Sequence, residues 1–206
     1  GPKALLYTGG RTKPGVGQTA FEGQRYAQLL ANSGGVPVFP ALSAGDDPGV
    51  FQSVFSAFAA PFGAGPVPDG ISTATVPGGA STGGARTHYA FDTTGEGPVR
   101  VIVIDNSSGS LDDAQAHQNP SESQADWLRD TLADARQRGL RAIVMGSRDL
   151  NSKFSPAINV ATDADLEAQI LKDGGASAYL FERPEENRTS TIPSGDPNGI
   201  PEFGTG

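Results

Sequence analysis

The sequence predicts an α/β fold in which a mixed β-sheet is covered by helices. Three observations carry this prediction. Apolar stretches of strand length alternate with amphipathic stretches of helix length, as they do in layered α/β proteins. The segments "THYAFD" and "VRVIVID", joined by "TTGEGP", predict an antiparallel hairpin whose second strand is rich in β-branched residues and therefore central. The chain has 206 residues, enough for one domain with a substantial core.

The N-terminal part predicts two strands and two helices. "KALLYTGG" and "VPVFPAL" are apolar runs of strand length. Between them, the capping-box spacing of Thr19 and Glu22 begins a helix, and Gly34 ends it. Asp47 suits the cap of a second helix, which runs through several Phe and Val residues. Residues 63–86 are rich in Gly and Pro and predict a flexible loop.

The C-terminal part predicts further strands and helices in alternation. Ser121 and Gln124 have capping-box spacing and begin the clearest helix, in which Trp127 is expected to anchor the core and which Gly139 ends. Strand "LRAIVM" follows, then a helix over 163–172 and the strand "ASAYLF". The last stretch, "ERPEENRTSTIPSGDPNGIPEFGTG", predicts loop with a short strand at its end.

Composition argues against several classes of function. Fifteen Lys and Arg against 23 Asp and Glu give a net charge of −8, which disfavours nucleic acid and anionic membranes as the main partner. The absence of Cys excludes disulfides, zinc-thiolate sites and a Cys nucleophile. No stretch stays apolar over the roughly 20 residues that a membrane span needs. The compartment stays open, with an extracellular or cell-surface location slightly favoured over a cytoplasmic one.

The order of motifs from residue 87 onward is specific. A strand ending in Asp ("VRVIVID") precedes "QADWLRDTLADAR", and "RAIVMG" follows. This order resembles the calcineurin-like metallophosphoesterases, in which a strand ending in Asp precedes a "QxxWL" helix and then a strand running into Gly-His. Upstream, "LLYTGG" resembles the strand entering the family's Gly-Asp motif, and "GVPVFPALSAGD" the segment entering Gly-Asn-His-Asp. The family's opening Asp-x-His strand has no counterpart.

The resemblance implies a layered α-β-β-α sandwich with mixed sheets flanked by helices, without its first strand. Residues 1–206 would form a single domain of this type, or a large part of one, and we expect them to be a piece of a longer protein. The family holds two divalent metals with Asp, Asn and His side chains, which lower the pKa of an attacking water. Each of these ligand motifs can therefore be compared with the residue that stands in its place.

The first motifs have lost their ligands. The resemblance places the metal-bridging Asp at Gly10, the Asn ligand at Ala44 and the proton-donating His at Gly45. None of these residues can perform the corresponding role. Asp46 matches the closing Asp of the same motif, which supports the loop and does not bind metal in the family.

The later motifs are altered as well. Ser147 stands where the Gly-His motif has its His, and the final Gly-His-x-His pair corresponds to Arg183 and Glu185. Of these positions only Glu185 could still bind a metal, and one carboxylate does not hold two cations. We therefore expect no cofactor, with a single hard cation such as Ca²⁺ or Mg²⁺ as the alternative.

Charged residues would gather at one face of the fold if the resemblance holds. Asp105 ends a strand and is expected to bond nearby backbone amides and organise the "NSSGS" loop. Arg148 and Asp149 are expected to hold the loop that follows "IVMGS", and the mixed signs predict mutual ion pairing. The other charged residues expected at this face are Asp46, Asp47, Glu182, Arg183, Glu185 and Glu186.

Ser147 follows a strand, where a nucleophile could stand, but nothing near it in sequence would activate it. Activation needs a base such as His that a third group holds in place. The chain has two histidines, His88 in the hairpin and His117 in a polar loop, and both are expected at the surface.

These residues favour a domain without catalytic activity. The leading expectation is a metallophosphoesterase-like domain that serves as a structural, binding or interaction module for other domains of a longer protein, or for an unknown protein or glycan. One alternative is an active metal-dependent phosphoesterase with a rearranged site, completed by residues outside this chain. Another is a carbohydrate-binding or cell-surface-binding module, suggested by the acidic, Cys-free composition rich in Gly and Pro.

Overall fold

The computed structural model describes residues 4–8, 24, 27–43, 69–72, 87–111, 123–151, 160–182 and 187–205. Within these ranges residues 27–32 are helical. The other elements are β1 (Leu5–Tyr7), β2 (Val38–Pro40), β3 (Ile71–Ser72), β4 (Tyr89–Thr93), β5 (Val99–Val103), α1 (Gln124–Gln137), β6 (Arg141–Met145), α2 (Ala164–Gly174), β7 (Ala178–Glu182), β8 (Arg188–Ile192) and β9 (Ile200–Thr205).

The larger sheet has seven strands in the order β3-β4-β5-β6-β7-β9-β8. Its centre is parallel, because β5, β6, β7 and β9 run in one direction, while β3, β4 and β8 pair antiparallel to their neighbours. Helices α1 and α2 connect β5 to β6 and β6 to β7. The predicted mixed α/β fold is therefore confirmed, and the carboxyl ends of four parallel strands meet at one edge.

Helices α1 and α2 cover one face of this sheet. On α1 the apolar face predicted from the sequence is buried, through Ala125, Leu128, Leu132 and Ala135. Trp127 is buried in the same core cluster, so its predicted role as a core anchor is confirmed. The predicted end of the helix is also correct, since Gly139 follows the last turn with a φ of 69° that favours glycine.

The start of α1 differs from the prediction by two residues. Ser123, not Ser121, is the cap, and its side chain accepts a hydrogen bond from the backbone N–H of Asp126 at 3.1 Å. Gln124 is thus the first helical residue, and its side chain turns inward to the backbone of Asp105. Ser123 is the cap because its side chain reaches the backbone N–H of Asp126, which has no partner within the helix.

The second face of the sheet packs against a smaller parallel sheet made of β1 and β2. Phe39 stacks on Phe91 with ring centroids 4.0 Å apart. The Tyr89 hydroxyl donates to the carbonyl of Pro40 at 2.7 Å. Leu29 and Leu30, from the helical residues 27–32, pack against the same cluster. Two sheets therefore share one apolar layer, which fixes the end of β2 beside the end of β7.

A buried ion network ties α1 to the hairpin. The guanidinium of Arg100 on β5 is fully buried and lies 2.7 Å from the carboxylate of Asp92 on β4 and 2.6 Å from that of Asp134 on α1. Arg138 adds a second contact to Asp92 at 2.8 Å. A buried guanidinium is tolerated here because its N–H groups donate to carboxylate oxygens on two sides. This network lies at the opposite end of β5 from Asp105 and holds α1 in place.

Three sequence predictions need correction. His88, expected at the surface, is 5% exposed and lies edge-on against the Trp127 ring with centroids 4.8 Å apart. Within the predicted loop 63–86, Ile71–Ser72 form β3, which pairs with β4. The C-terminal stretch contains two strands, β8 and β9, instead of one short strand.

The C-terminal strands have a clear physical basis. Pro201 lies in β9, which has the strands β7 and β8 on its two sides. A proline has no N–H, so it would remove a hydrogen bond from one of these two pairings. Pairing of β9 with β7 begins only at Glu202, so Pro201 is outside that ladder. Towards β8 it faces Thr191. Strand β9 therefore accommodates a proline that the sequence pattern reads as a loop signal.

Candidate functional site

The carboxyl ends of β5, β6 and β7 bring several predicted site residues together. Asp105 follows β5, Ser147, Arg148 and Asp149 follow β6, and Glu182 ends β7. These strands are neighbours and parallel. Ligands of open α/β sheets bind outside such an edge, because the loops there are held by the sheet yet face outward. The arrangement of polar groups at this edge therefore decides what the domain can do.

The predicted positions Gly10, Ala44, Gly45, Asp46, Arg183 and Glu185 lie outside the described residues, as do Asp47, His117 and Glu186. Among the residues that are described, no group of three or more His, Asp or Glu side chains is arranged to hold a metal ion.

Asn106 is the centre of the hydrogen-bond network at this edge. Its side-chain oxygen accepts from the backbone N–H of Ser147 at 2.9 Å, from the Ser147 hydroxyl at 3.3 Å and from the Arg148 N–H at 3.3 Å. Its side-chain nitrogen donates to the carboxyl of Glu167 at 2.9 Å and to the Tyr179 hydroxyl at 3.2 Å. One carboxamide thus joins the loops after β5 and β6 to α2 and β7.

Ser147 is fully buried beneath this network. The neighbouring Gly146 also has a tight fit, because a Cβ there would lie 2.7 Å from the Tyr179 hydroxyl and 2.9 Å from the Asn106 side-chain oxygen. A nucleophilic hydroxyl must be reachable by its substrate. The Ser147 hydroxyl lies under the loop, where a substrate does not reach it, so its role is structural.

Arg148 is used to hold the loop after β5. Its guanidinium donates to the carbonyl of Asn106 at 3.3 Å and to that of Ser107 at 3.2 Å. Its own carbonyl accepts from the Tyr179 hydroxyl at 2.7 Å. The cation therefore faces backbone oxygens of the domain itself, which are strong acceptors for a guanidinium.

Asp105 organises the same loop from the other side. Its carboxylate accepts from the hydroxyl of Ser107 at 2.6 Å and from the Ser107 N–H at 3.2 Å, an Asx turn. The backbone N–H of Asp105 donates to the Gln124 side chain at 2.6 Å, and the Gln124 amide returns a bond to the Asp105 carbonyl at 2.8 Å. These contacts attach the end of β5 to the start of α1.

Asp149 lies beside a second buried carboxyl group, that of Glu202 on β9. The Asp149 carboxylate accepts from the Asn151 N–H at 2.7 Å and is 3.8 Å from the Arg188 guanidinium. Glu202 accepts from the Ser190 hydroxyl at 2.6 Å. Burial, opposed by the Ser190 bond and reinforced by the charge of Asp149, raises the pKa of Glu202 to about 7.

Glu182 connects the two sheets at the same edge. It is buried and accepts from the Ser43 hydroxyl at 2.5 Å, across the end of β2. Close by in the sheet, the hydroxyls of Thr8 and Thr205 are 2.6 Å apart and link the ends of β1 and β9. Polar groups at the ends of four strands thus bind one another.

Glu167 on α2 is a buried acid that sequence reasoning did not identify. Burial raises its pKa well above the usual range, and the neighbouring Asp163 carboxyl raises it further. Glu167 Oε1 and Asp163 Oδ1 are buried and have no hydrogen-bond partner among the described residues. These surroundings favour the protonated form of Glu167. In the sequence, its burial is indicated only by its spacing of three residues from Ala164 and four from Leu171, which places the three side chains on one face of the helix.

Comparisons with known proteins give little additional information. No family model and no curated protein matches the chain. Among solved structures, the chain is similar to one titled "GAP50 the anchor in the inner membrane complex of Plasmodium". The match covers 98% of this chain and 70% of that one at 16% identity, with a TM-score of 0.44. This similarity is too low to support an argument about fold or function. Across the described residues, no helix has the length and apolar character of a membrane span.

Proposed function

We propose that this chain is a metallophosphoesterase-like domain without catalytic activity that serves as a structural or interaction module. One observation carries the proposal. Asn106 lies at the edge where an α/β enzyme binds its substrate, and its side chain makes all of its hydrogen bonds with other residues of the domain. A carboxamide has two N–H donors and two acceptor lone pairs, and here both donors and the oxygen are engaged. It has none left for a phosphate or a metal.

The neighbouring groups support the same proposal. Arg148 binds backbone carbonyls at 3.2 and 3.3 Å, and Asp149 binds an N–H at 2.7 Å. Binding a phosphate or a metal here would require these bonds to break, and each broken buried bond costs about 1–3 kcal/mol. A site prepared for catalysis instead holds its donors ready for the transition state.

The layered arrangement is the second support for the family assignment. A seven-stranded sheet lies between the helices α1 and α2 on one face and the β1–β2 sheet on the other. These correspond to three of the four layers of an α-β-β-α sandwich. The family assignment itself depends on the motif order in the sequence and on the loss of its ligands at Gly10, Ala44, Gly45, Ser147 and Arg183.

The proposal is tested by turnover assays with phosphomonoester and phosphodiester substrates in the presence of manganese. We expect no turnover above a preparation without the domain. Any residual rate should be the same for Asp149→Asn, Glu182→Gln and the exposed control Asp130→Asn, since none of these carboxylates serves a reaction. Turnover that Asp149→Asn or Glu182→Gln abolishes and Asp130→Asn preserves would support the rival, an active phosphoesterase with a rearranged site.

A further inference from the structure

A groove runs between α1 and α2 on the outer surface of the helical layer, at the face opposite the β1–β2 sheet. It has a volume of about 550 Å³. Its floor is apolar and made of Ala133, Ile170 and Gly174, and Leu166 at its side is 39% exposed. Leu166 is one of the few large apolar side chains that are exposed in the described residues. Open apolar grooves between two helices are the shape that receives the apolar face of a third helix.

The floor is shallow because the two helices touch below it. A Cβ at Gly174 would lie 2.6 Å from Leu132 Cδ1, so the helices are in close contact at this point. The absence of a side chain at Gly174 permits this contact, and the small side chain of Ala133 lines the groove above it. Leu166 and Ile170 lie on the same face of α2, four residues apart, and would pack against an inserted side chain.

The charges along the rim define what can occupy the groove. Arg129 and Arg136 project from the same stripe of α1, seven residues or about 10 Å apart. The Arg136 side chain makes no ion pair or hydrogen bond within the part of the chain that the structure describes. Arg129 has only an exposed pair with Asp126 at 2.8 Å, which is worth little in water. On α2, Asp173 is bonded to Gln169 at 2.7 Å.

Two arginines against one aspartate, Asp173, leave the lining with a net charge of +1 in a chain whose net charge is −8. A second copy of this chain would bring a like net charge, and the two copies would repel each other. A single helix with acidic residues along one stripe meets less of this repulsion than a whole second copy, and its carboxylates reach the two arginines while its apolar residues cover the floor.

We propose that the groove between α1 and α2 binds an amphipathic helix of a partner protein, with two acidic residues seven positions apart that pair with Arg129 and Arg136 and an apolar residue between them that contacts Leu166 and Ile170. This proposal deepens the proposed function, because it specifies the partner of an interaction module. It also stands apart from it, since the groove lies away from the carboxyl ends of the strands.

The test uses a fluorescent synthetic helix of about 15 residues, or four turns, with two Glu seven positions apart and Leu between them. A matched peptide carries Lys at both positions. Fluorescence anisotropy should show that the Glu peptide binds the whole domain at least about tenfold more tightly than the Lys peptide, and that salt weakens the difference.

Protein variants localise the binding. Arg136→Glu should lower the affinity for the Glu peptide by about tenfold and raise the affinity for the Lys peptide. Arg141 is an exposed arginine outside the groove, and Arg141→Glu should change neither affinity. Leu166→Gln should weaken both peptides. The proposal is overturned if neither peptide binds, if both bind equally, or if Arg136→Glu and Arg141→Glu have the same effect. Self-association of the free domain that Leu166→Gln abolishes would also overturn it, by assigning the groove to a second copy. A negative peptide result leaves the phosphoesterase assay unaffected, so the two proposals fail independently.

Discussion

The side-chain nitrogen of Asn106 donates to the carboxyl of Glu167 at 2.9 Å, and so binds the loop after β5 to the first turns of α2. Both residues are fully buried. This bond lies at the carboxyl ends of the parallel strands, the edge where open α/β folds bind ligands. The network around it joins the loops after β5 and β6 to α2 and β7, and the raised pKa of Glu167 predicts that the stability of the domain depends on pH.

Removal of the Asn106 carboxamide should destabilise the whole edge. Asn106→Ala leaves the N–H groups of Ser147 and Arg148 and the carboxyl of Glu167 without their partner, so we expect the free energy of unfolding to fall by about 3 kcal/mol. Urea unfolding followed by tryptophan fluorescence measures this change. Asn198→Ala, at an exposed loop position, is the control and should stay within about 0.5 kcal/mol of the parent. Equal effects of the two substitutions would refute the role of the network.

The buried acid Glu167 should make stability fall as pH rises. Its pKa is raised in the folded protein above the unfolded value of 4.5, so its contribution is fully present below pH 4.5 and is lost as pH rises towards the folded pKa. Glu167→Gln keeps a donor towards Asp163 and an acceptor for Asn106 but cannot ionise. Between these limits the variant should gain about 1.4 kcal/mol per pH unit relative to the parent. Unfolding measured across this range tests the slope, with Glu96→Gln in an exposed turn as the control. A slope equal to that of the parent would contradict a raised pKa at Glu167.

Glu202 should titrate near neutral pH, and its neighbours should set the midpoint. Burial raises the pKa to about 7, so the stability that it contributes is present below pH 4.5 and is lost as pH rises through about 7. Asp149→Asn removes a nearby negative charge and should lower the pKa of Glu202. Arg188→Gln removes a positive charge and should raise it. Carbon-13 NMR of the Glu carboxyl groups measures both shifts, and shifts of the same sign would contradict this electrostatic account.

The close contact of α1 with α2 should not tolerate a methyl group at Gly174. A Cβ there would lie 2.6 Å from Leu132 Cδ1 and 2.7 Å from Leu132 Cβ. Gly174→Ala should therefore destabilise the domain by about 1–3 kcal/mol, although alanine favours helix more than glycine does. The double variant Gly174→Ala with Leu132→Ala removes the contacts with Leu132 Cδ1 and Cγ and leaves only the one with Cβ, so the two substitutions should cost less together than the sum of their separate effects. Strict additivity in thermal or urea unfolding would show that the contact is looser than the geometry indicates.

The sequence predicts the central part of the fold well because the patterns there are strong. The hairpin β4–β5, both helices and strands β6 and β7 have apolar periodicity that matches the burial of their side chains. Strand β8 was missed because "RTSTI" alternates without apolar contrast, and β9 because Pro201 and Gly204 are loop signals when the pairing partners are not known.

The candidate site is harder to predict because its contacts join distant parts of the chain. Residues at strand ends, such as Asp105 and Asp149, can be identified from the pattern. Asn106 and Glu167 are 61 positions apart, and no local signal predicts that they meet. The sequence places His88 in the hairpin and predicts a surface position for it. Its burial against Trp127 lowers the pKa to about 4, which keeps the imidazole neutral.

The number of manganese ions that the domain retains distinguishes an inactive domain from a two-metal enzyme. The domain is incubated with excess manganese, passed through a desalting column and measured by inductively coupled plasma mass spectrometry, with the Asp149→Asn and Glu182→Gln variants treated in parallel. A domain without a dinuclear centre should retain less than one manganese per chain, and the variants should give the same value. Retention of two manganese ions per chain, lost in the variants, would contradict the account.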